Sequence, residues 1–176
     1  VGSNTLSPTG VFDTTDSNVS GRIGASFKPN PDTNIFASYS RGYKPPAVGT
    51  NPAGTLFELD PEKSDAFELG VKTRLGRVQL AANAFYTKLQ DFQSQTSVFV
   101  GTALVSQPLN ISKLTSKGFE LSAFGQVFPG FNLNAGYQFN TFKFPTGYLG
   151  DDGGNLGGTQ FLNAPKHKFT LSGDYG

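Results

Sequence analysis

Apolar and polar residues trade places every second position through most of this chain, and almost nowhere do apolar residues recur at helical spacing. In Val19–Phe27 the face Val19, Gly21, Ile23, Ala25 and Phe27 opposes Ser20, Arg22, Gly24 and Ser26. The face Ile35, Ala37 and Tyr39 opposes Ser38 and Ser40, and Phe67, Leu69, Val71 and Leu75 oppose Glu68, Lys72 and Arg74. From Val78 the positions Val78, Leu80, Ala82, Ala84 and Tyr86 oppose Gln79, Asn83 and Thr87, and the parity continues to Val100, which predicts one long strand. Later come Phe119, Leu121, Ala123 and Val127, then Phe131, Leu133, Ala135, Tyr137 and Phe139, and lastly Phe169, Leu171 and Tyr175. A period of two is the signature of β-strands with one apolar face. The chain is therefore expected to be all-β, with about seven strands.

The connections alternate in length. Pro29–Asn34, Gly76–Arg77 and Pro129–Gly130 are short; Lys44–Leu59, about Gly101–Val105 and Pro145–Asn163 are expected to be long loops. Short turns on one side and longer loops on the other is the layout of an outer-membrane barrel, with the short turns on the periplasmic side. Periodicity alone does not separate such a barrel from a soluble sandwich, because only the direction of the apolar face differs. The polar faces favour a membrane. They carry Gly, Ser, Asn and Gln with scattered charges, where a soluble surface would carry a dense Lys/Glu coat. Aromatic residues near the strand ends (Phe27, Phe36, Tyr39, Tyr43, Phe128, Phe131, Phe142, Phe144, Tyr175) match interfacial girdles. Seven strands are too few for a closed barrel, and an open sheet would leave backbone groups unpaired in lipid. The expectation is a segment of a larger barrel.

Charged residues make up 15% of the chain and the net charge is +1, so nothing suggests nucleic acid as a partner. No run of about 18 apolar residues is present, which excludes a transmembrane helix but not a barrel. With no Cys and only His167 as histidine, thiolate sites, His-based metal clusters and Cys nucleophiles are excluded. There is no P-loop, nucleophile elbow or paired catalytic carboxylates, so the chain makes no case for enzyme chemistry or for a cofactor.

Several segments, in order, resemble the C-terminal portion of a TonB-dependent outer-membrane receptor barrel. They are SRGYKPP (Ser40–Pro46), PEKSDAFELGVKTRL (Pro61–Leu75), AFYTKLQDFQ (Ala84–Gln93), SKGFEL (Ser116–Leu121), LNAGYQFN (Leu133–Asn140) and NAPKHKFTLSGDY (Asn163–Tyr175). The resemblance implies an antiparallel transmembrane β-barrel of the type with about 22 strands. Residues 18–176 would be part of it, without the plug and the final strands, and residues 1–17 would end an extracellular loop. It further implies active uptake of a scarce nutrient such as a ferric siderophore across a bacterial outer membrane. TonB–ExbB–ExbD would act through the absent plug, with outer-membrane lipid and lipopolysaccharide as surroundings. The rivals are a passive or structural barrel and a soluble all-β adhesion module.

Candidate site residues fall into two groups. On the extracellular side, Arg41, Tyr43 and Lys44 stand where a strand leaves the membrane and could hold an anionic ligand or a lipopolysaccharide phosphate. Asp151 and Asp152 lie among six glycines in Gly147–Gln160 without EF-hand spacing, and Tyr148 and Phe161 flank them as possible ligand contacts. The second group, Arg22, Glu68, Lys72, Arg74 and Glu120, shares the polar parity and is expected to form a lumen-facing charge network. The bland alternatives are an interface anchor, a surface loop and a merely polar lumen.

Overall fold

A computed structural model describes residues 17–51, 54–150 and 153–176. The extracellular-loop expectation for residues 1–17 falls, up to residue 16, outside the described residues, as do Asp151 and Asp152. Nine strands are present among those described: β1 (Gly21–Asn30), β2 (Thr33–Lys44), β3 (Ala47–Thr50), β4 (Leu56–Leu59), β5 (Glu62–Leu75), β6 (Val78–Val100), β7 (Ala103–Phe128), β8 (Phe131–Lys143) and β9 (His167–Tyr175). Seven of them form one antiparallel meander in the order β1-β2-β5-β6-β7-β8-β9, while β3 and β4 pair separately as a small hairpin.

The register carries one apolar face across the whole sheet. Phe27 pairs with Ile35, Ile35 with Val71, Val71 with Ala82, Ala82 with Leu121, Leu121 with Tyr137 and Tyr137 with Phe169. A slip of one residue in any pair would break that row, because it turns every side chain to the other face. Among the described residues no second layer covers this face. Ile23 is 72% exposed, Leu69 60% and Leu171 78%. A soluble sandwich would bury this face against another sheet. Here the buried apolar residues among those described, Leu59, Ile111, Leu114 and Phe144, lie instead in or beside the longer connections. An apolar face with nothing folded onto it has lipid as its natural cover. Among the described residues the outer edges of β1 and β9 have no strand partner, so the barrel is not closed by these strands.

Two expected connections need correction. The outer connection expected at Gly101–Val105 is a tight turn at Gly101–Thr102. Its hairpin is long instead: β7 begins at Ala103, well before the alternation that starts at Phe119. Pro108, opposite Gln95, conceals this stretch, yet a proline is tolerated where a strand borders no further ladder, and β8 pairs only from Thr115 onward. The Lys44–Leu59 loop contains the β3–β4 hairpin. The short Pro129–Gly130 turn is as expected, with Phe128 opposite Phe131 and their rings stacked at 4.8 Å, and a bulge between Gln126 and Phe128 precedes it.

Small residues on one strand make room for rings on the next. A Cβ at Gly70 would meet Phe36 Cζ at 2.5 Å, and one at Gly173 would meet Phe131 Cζ at 2.8 Å. Phe36 therefore covers a glycine on the polar face and is not part of an interfacial girdle. The outward aromatics are others: Tyr39 against Phe67 (4.8 Å), Phe119 against Tyr137 (5.7 Å) and Tyr137 against Phe169 (4.6 Å).

Candidate functional site

The polar face carries a connected line of side chains. Arg22 Nη2 lies 3.6 Å from Glu68 Oε2 and donates to Ser38 Oγ at 3.1 Å. Asn83 stands between two carboxylates, with Nδ2 3.3 Å from Glu68 Oε1 and 3.4 Å from Glu120 Oε2. Gln138 Nε2 donates to the other Glu120 oxygen at 2.7 Å. The line thus crosses β1, β2, β5, β6, β7 and β8. Period-2 alternation puts each of these residues on one face, and the meander brings them side by side. The amide of Asn83 supplies the donors that bridge the two carboxylates.

Of the five residues expected as a charge network, the structure joins Arg22, Glu68 and Glu120. Lys72 and Arg74 share their face but lie toward the short turns. The Lys72 ammonium is 5.3 Å from the Phe36 ring centroid. Arg74 grips the β1–β2 turn, with Nη2 2.6 Å and Nε 2.9 Å from Asp32 Oδ1. Asn83 and Gln138, the bridging amides, were not anticipated. As neutral residues they carry no charge signal, although Asn83 stands on the polar parity of β6.

At the other end of the sheet the long connections are folded down. Ile111, Leu114 and Phe144 form a small apolar core, with Phe92, Phe142, Tyr148 and Phe161 packed against it. Phe161 meets Phe92 edge-on at 5.9 Å and lies 4.9 Å from Phe144, which stacks on Tyr148 at 4.8 Å. The expected ligand contacts Tyr148 and Phe161 are therefore brought together, half-buried, as anchors of the 145–163 connection. Phe142 and Phe144 belong to this cluster and not to a girdle.

A polar clamp holds the other long connection. Gln93 Nε2 donates to the carbonyls of Pro45 (2.8 Å) and Asp60 (3.0 Å), and Gln93 N donates to Glu62 Oε2. Asn110 exchanges hydrogen bonds with the Asp60 backbone and also donates to Asp91 O. The β3–β4 hairpin is thereby tied at both its ends to the extended β6–β7 hairpin. Asp91 takes φ 51°, a left-handed conformation Asp tolerates, within that hairpin.

Arg41 and Tyr43 have the parity of Tyr39 and so share the apolar face, whereas Lys44 has the opposite parity. The three are not one cluster. Among the described residues no three His, Cys, Asp or Glu side chains converge as metal ligands.

Comparison with known proteins agrees with this architecture. Residues 1–176 match the family described as TonB dependent receptor-like, beta-barrel. The chain is 31% identical over 159 residues to the metal-pseudopaline receptor CntO of Pseudomonas aeruginosa, covering 88% of this chain and 20% of that receptor. It therefore spans about a fifth of that relative's length. The crystal structure of the ferric yersiniabactin uptake receptor FyuA from Yersinia pestis superposes with TM-score 0.71 at 23% identity, over 91% of this chain and 23% of that one. The siderophore receptor PiuA from Acinetobacter baumannii gives TM-score 0.65 at 24% identity, over 89% of this chain and 23% of that one. Both superpositions establish the fold.

Proposed function

The chain belongs to the TonB-dependent receptor family, in its β-barrel portion, and from that premise we propose that it is a length of the barrel wall of an importer that takes up a scarce nutrient across a bacterial outer membrane. The family consists of transport receptors rather than enzymes. The nutrient class we favour is a metal chelate of the siderophore type. What supports it is the company the chain keeps: a metal-pseudopaline receptor, a ferric yersiniabactin uptake receptor and a siderophore receptor.

The observation that carries the reading is the two-faced single sheet, apolar and uncovered on one side and hydrogen-bonded polar on the other. Such a wall separates lipid from a watery lumen. In this reading the Arg22–Glu68–Asn83–Glu120–Gln138 line faces a plug domain and offers it both carboxylate acceptors and amide donors. Energy for uptake would come from TonB–ExbB–ExbD pulling on that plug.

The test is uptake of a radiolabelled ferric siderophore by cells whose sole receptor is the intact polypeptide containing this chain. Accumulation that stops when TonB is deleted is the expected result. Accumulation indifferent to TonB would make this a passive pore, and none with any metal chelate would remove the proposed substrate class.

A further inference from the structure

Beyond the sheet the β6–β7 hairpin continues alone. β5 accompanies β6 only as far as the pair Lys63–Gln90, and β8 accompanies β7 only from Thr115. Among the described residues the arm 92–111 therefore has no strand on either flank. These flanks differ from the outer edges of β1 and β9, where further strands of a barrel would join. Here the neighbouring strand β5 is present, and its chain turns away at Glu62 toward the β3–β4 hairpin.

Register decides which backbone groups face outward. Val100 and Ala103 flank the two-residue turn Gly101–Thr102, in which Gly101 has φ 62°, and so form a hydrogen-bonded pair. The pairs then alternate, and Phe99, Ser97, Gln95 and Gln93 on β6 turn their N–H and C=O groups away from β7. Two observations agree with that assignment. Gln93 N finds its acceptor outside the hairpin, at Glu62 Oε2 (3.1 Å). Opposite Gln95 stands Pro108, which has no N–H to turn outward.

The two flanks are guarded unequally. Exposed strand edges are ordinarily protected by charge, proline or cover. β7 carries Pro108, and the β3–β4 hairpin packs on it: a Cβ at Gly49 would stand 3.0 Å from Pro108 Cγ. On β6, Gln95, Ser97 and Phe99 are all exposed, Phe99 by 75%. No charged side chain occurs in residues 92–112. Backbone donors and acceptors that repeat every second residue, about 6.8 Å apart, are matched by one kind of molecule, an extended polypeptide. A second copy of this chain fits poorly. Two barrels in one membrane point their β6 strands the same way, whereas an edge that pairs with its own copy about a two-fold axis must run antiparallel to it.

We propose that the β6 edge from Gln95 to Phe99 receives an extended, uncharged segment of another polypeptide, which adds to the hairpin as a third strand. Beside Phe99 the guest carries an apolar side chain, and beside Gln95 and Ser97 small polar ones. The proposal rests on the outer-membrane barrel reading for the side of approach: the longer connections then face outward, and the guest comes from outside the cell.

The intact receptor polypeptide in lipid nanodiscs, with heat-dependent gel mobility as the check on folding, is titrated with a fluorescein-labelled peptide of alternating valine and threonine. Polarisation is expected to rise above that with empty discs, and amide exchange to slow at residues 95, 97 and 99. The same peptide N-methylated throughout should not bind. Ser97→Pro removes one outward N–H and sets a ring in the guest's path while leaving the bonds to β7, so affinity should fall about tenfold or more. Ser106→Pro makes the same change on the β7 edge and should leave affinity unchanged. If Ser97→Pro fails to fold, the N-methylated peptide on the wild type decides. No binding by the wild type, equal binding of the N-methylated peptide, an equal loss in Ser106→Pro or unchanged affinity in a folded Ser97→Pro would each overturn the proposal. Receptor dimers that Ser97→Pro disperses would overturn it too, in favour of a second copy. A wild-type protein without heat-dependent mobility would instead sink the barrel reading beneath it.

Discussion

At the scale of single residues, neighbours in sequence have opposite surroundings, and this can be measured. Leu121 is central in the apolar face between Ala82 and Tyr137, while Ser122 next to it has the polar parity. Leu121→Lys should destabilise the membrane-inserted receptor by roughly 2–4 kcal/mol, the cost of a cation near the midplane. Ser122→Lys should cost little, because its ammonium reaches water. Urea unfolding in lipid vesicles reads both, and equal costs would mean that the faces are assigned wrongly. Asn83 makes a second case. Its amide lies between Glu68 and Glu120, so Asn83→Leu removes the donor shared by two acceptors. A loss of about 1 kcal/mol is expected, since lumen water can replace part of what is lost. Much of this was legible beforehand: the parity of Glu68 and Glu120 put them on the polar face. The partners of Arg22, Lys72 and Arg74 were not, because they depend on cross-strand register and on the position of Asp32, which a single strand's pattern does not contain.

At the scale of elements, the alternation revealed the membrane strands but concealed what lies beyond them. Strands whose two faces meet lipid and water must alternate; strands outside the bilayer need not, and the first half of β7 with its Pro108 does not. The same holds for the β3–β4 hairpin, where Gln93 and Asn110 act through backbone carbonyls that no side-chain pattern announces. Gln93 is 9% exposed and satisfies both Pro45 and Asp60. Gln93→Leu should leave those carbonyls unpaired at about 1–3 kcal/mol. The effect should stay local: faster amide hydrogen exchange in residues 47–59, with the Val78–Tyr86 half of β6 unchanged. Exchange that rises across the whole of β6 would show that the clamp supports the sheet as well as the loop. Phe161→Ala tests the second connection in the same way. It removes a ring packed on Phe92, Phe142 and Phe144, and limited proteolysis should then cut within 145–163 sooner than in the parent receptor.

At the scale of the whole molecule, the sheet is held together by its ladders and not by a core. The β6–β7 and β5–β6 hairpins and their neighbours form an unbroken run of antiparallel pairs, yet the buried apolar side chains among the described residues lie in or beside the outer connections. Stability in the membrane must then come from lipid on one face and from every backbone group finding a partner. Among the described residues the five inner strands of the sheet have partners on both sides, whereas β1 and β9 each have one. In hydrocarbon each unpaired N–H or C=O costs several kcal/mol, so along two edge strands of 10 and 9 residues the penalty exceeds what any marginal fold can absorb. Expressed by itself, the chain should not settle in detergent or lipid as a single inserted sheet. It should associate through its edges into mixed oligomers or aggregate, as exposed strand edges do. Size-exclusion chromatography with light scattering distinguishes the outcomes. A monodisperse single-chain species that resists protease would mean that the edges of β1 and β9 are satisfied without further strands, and the partial-barrel architecture would have to be abandoned.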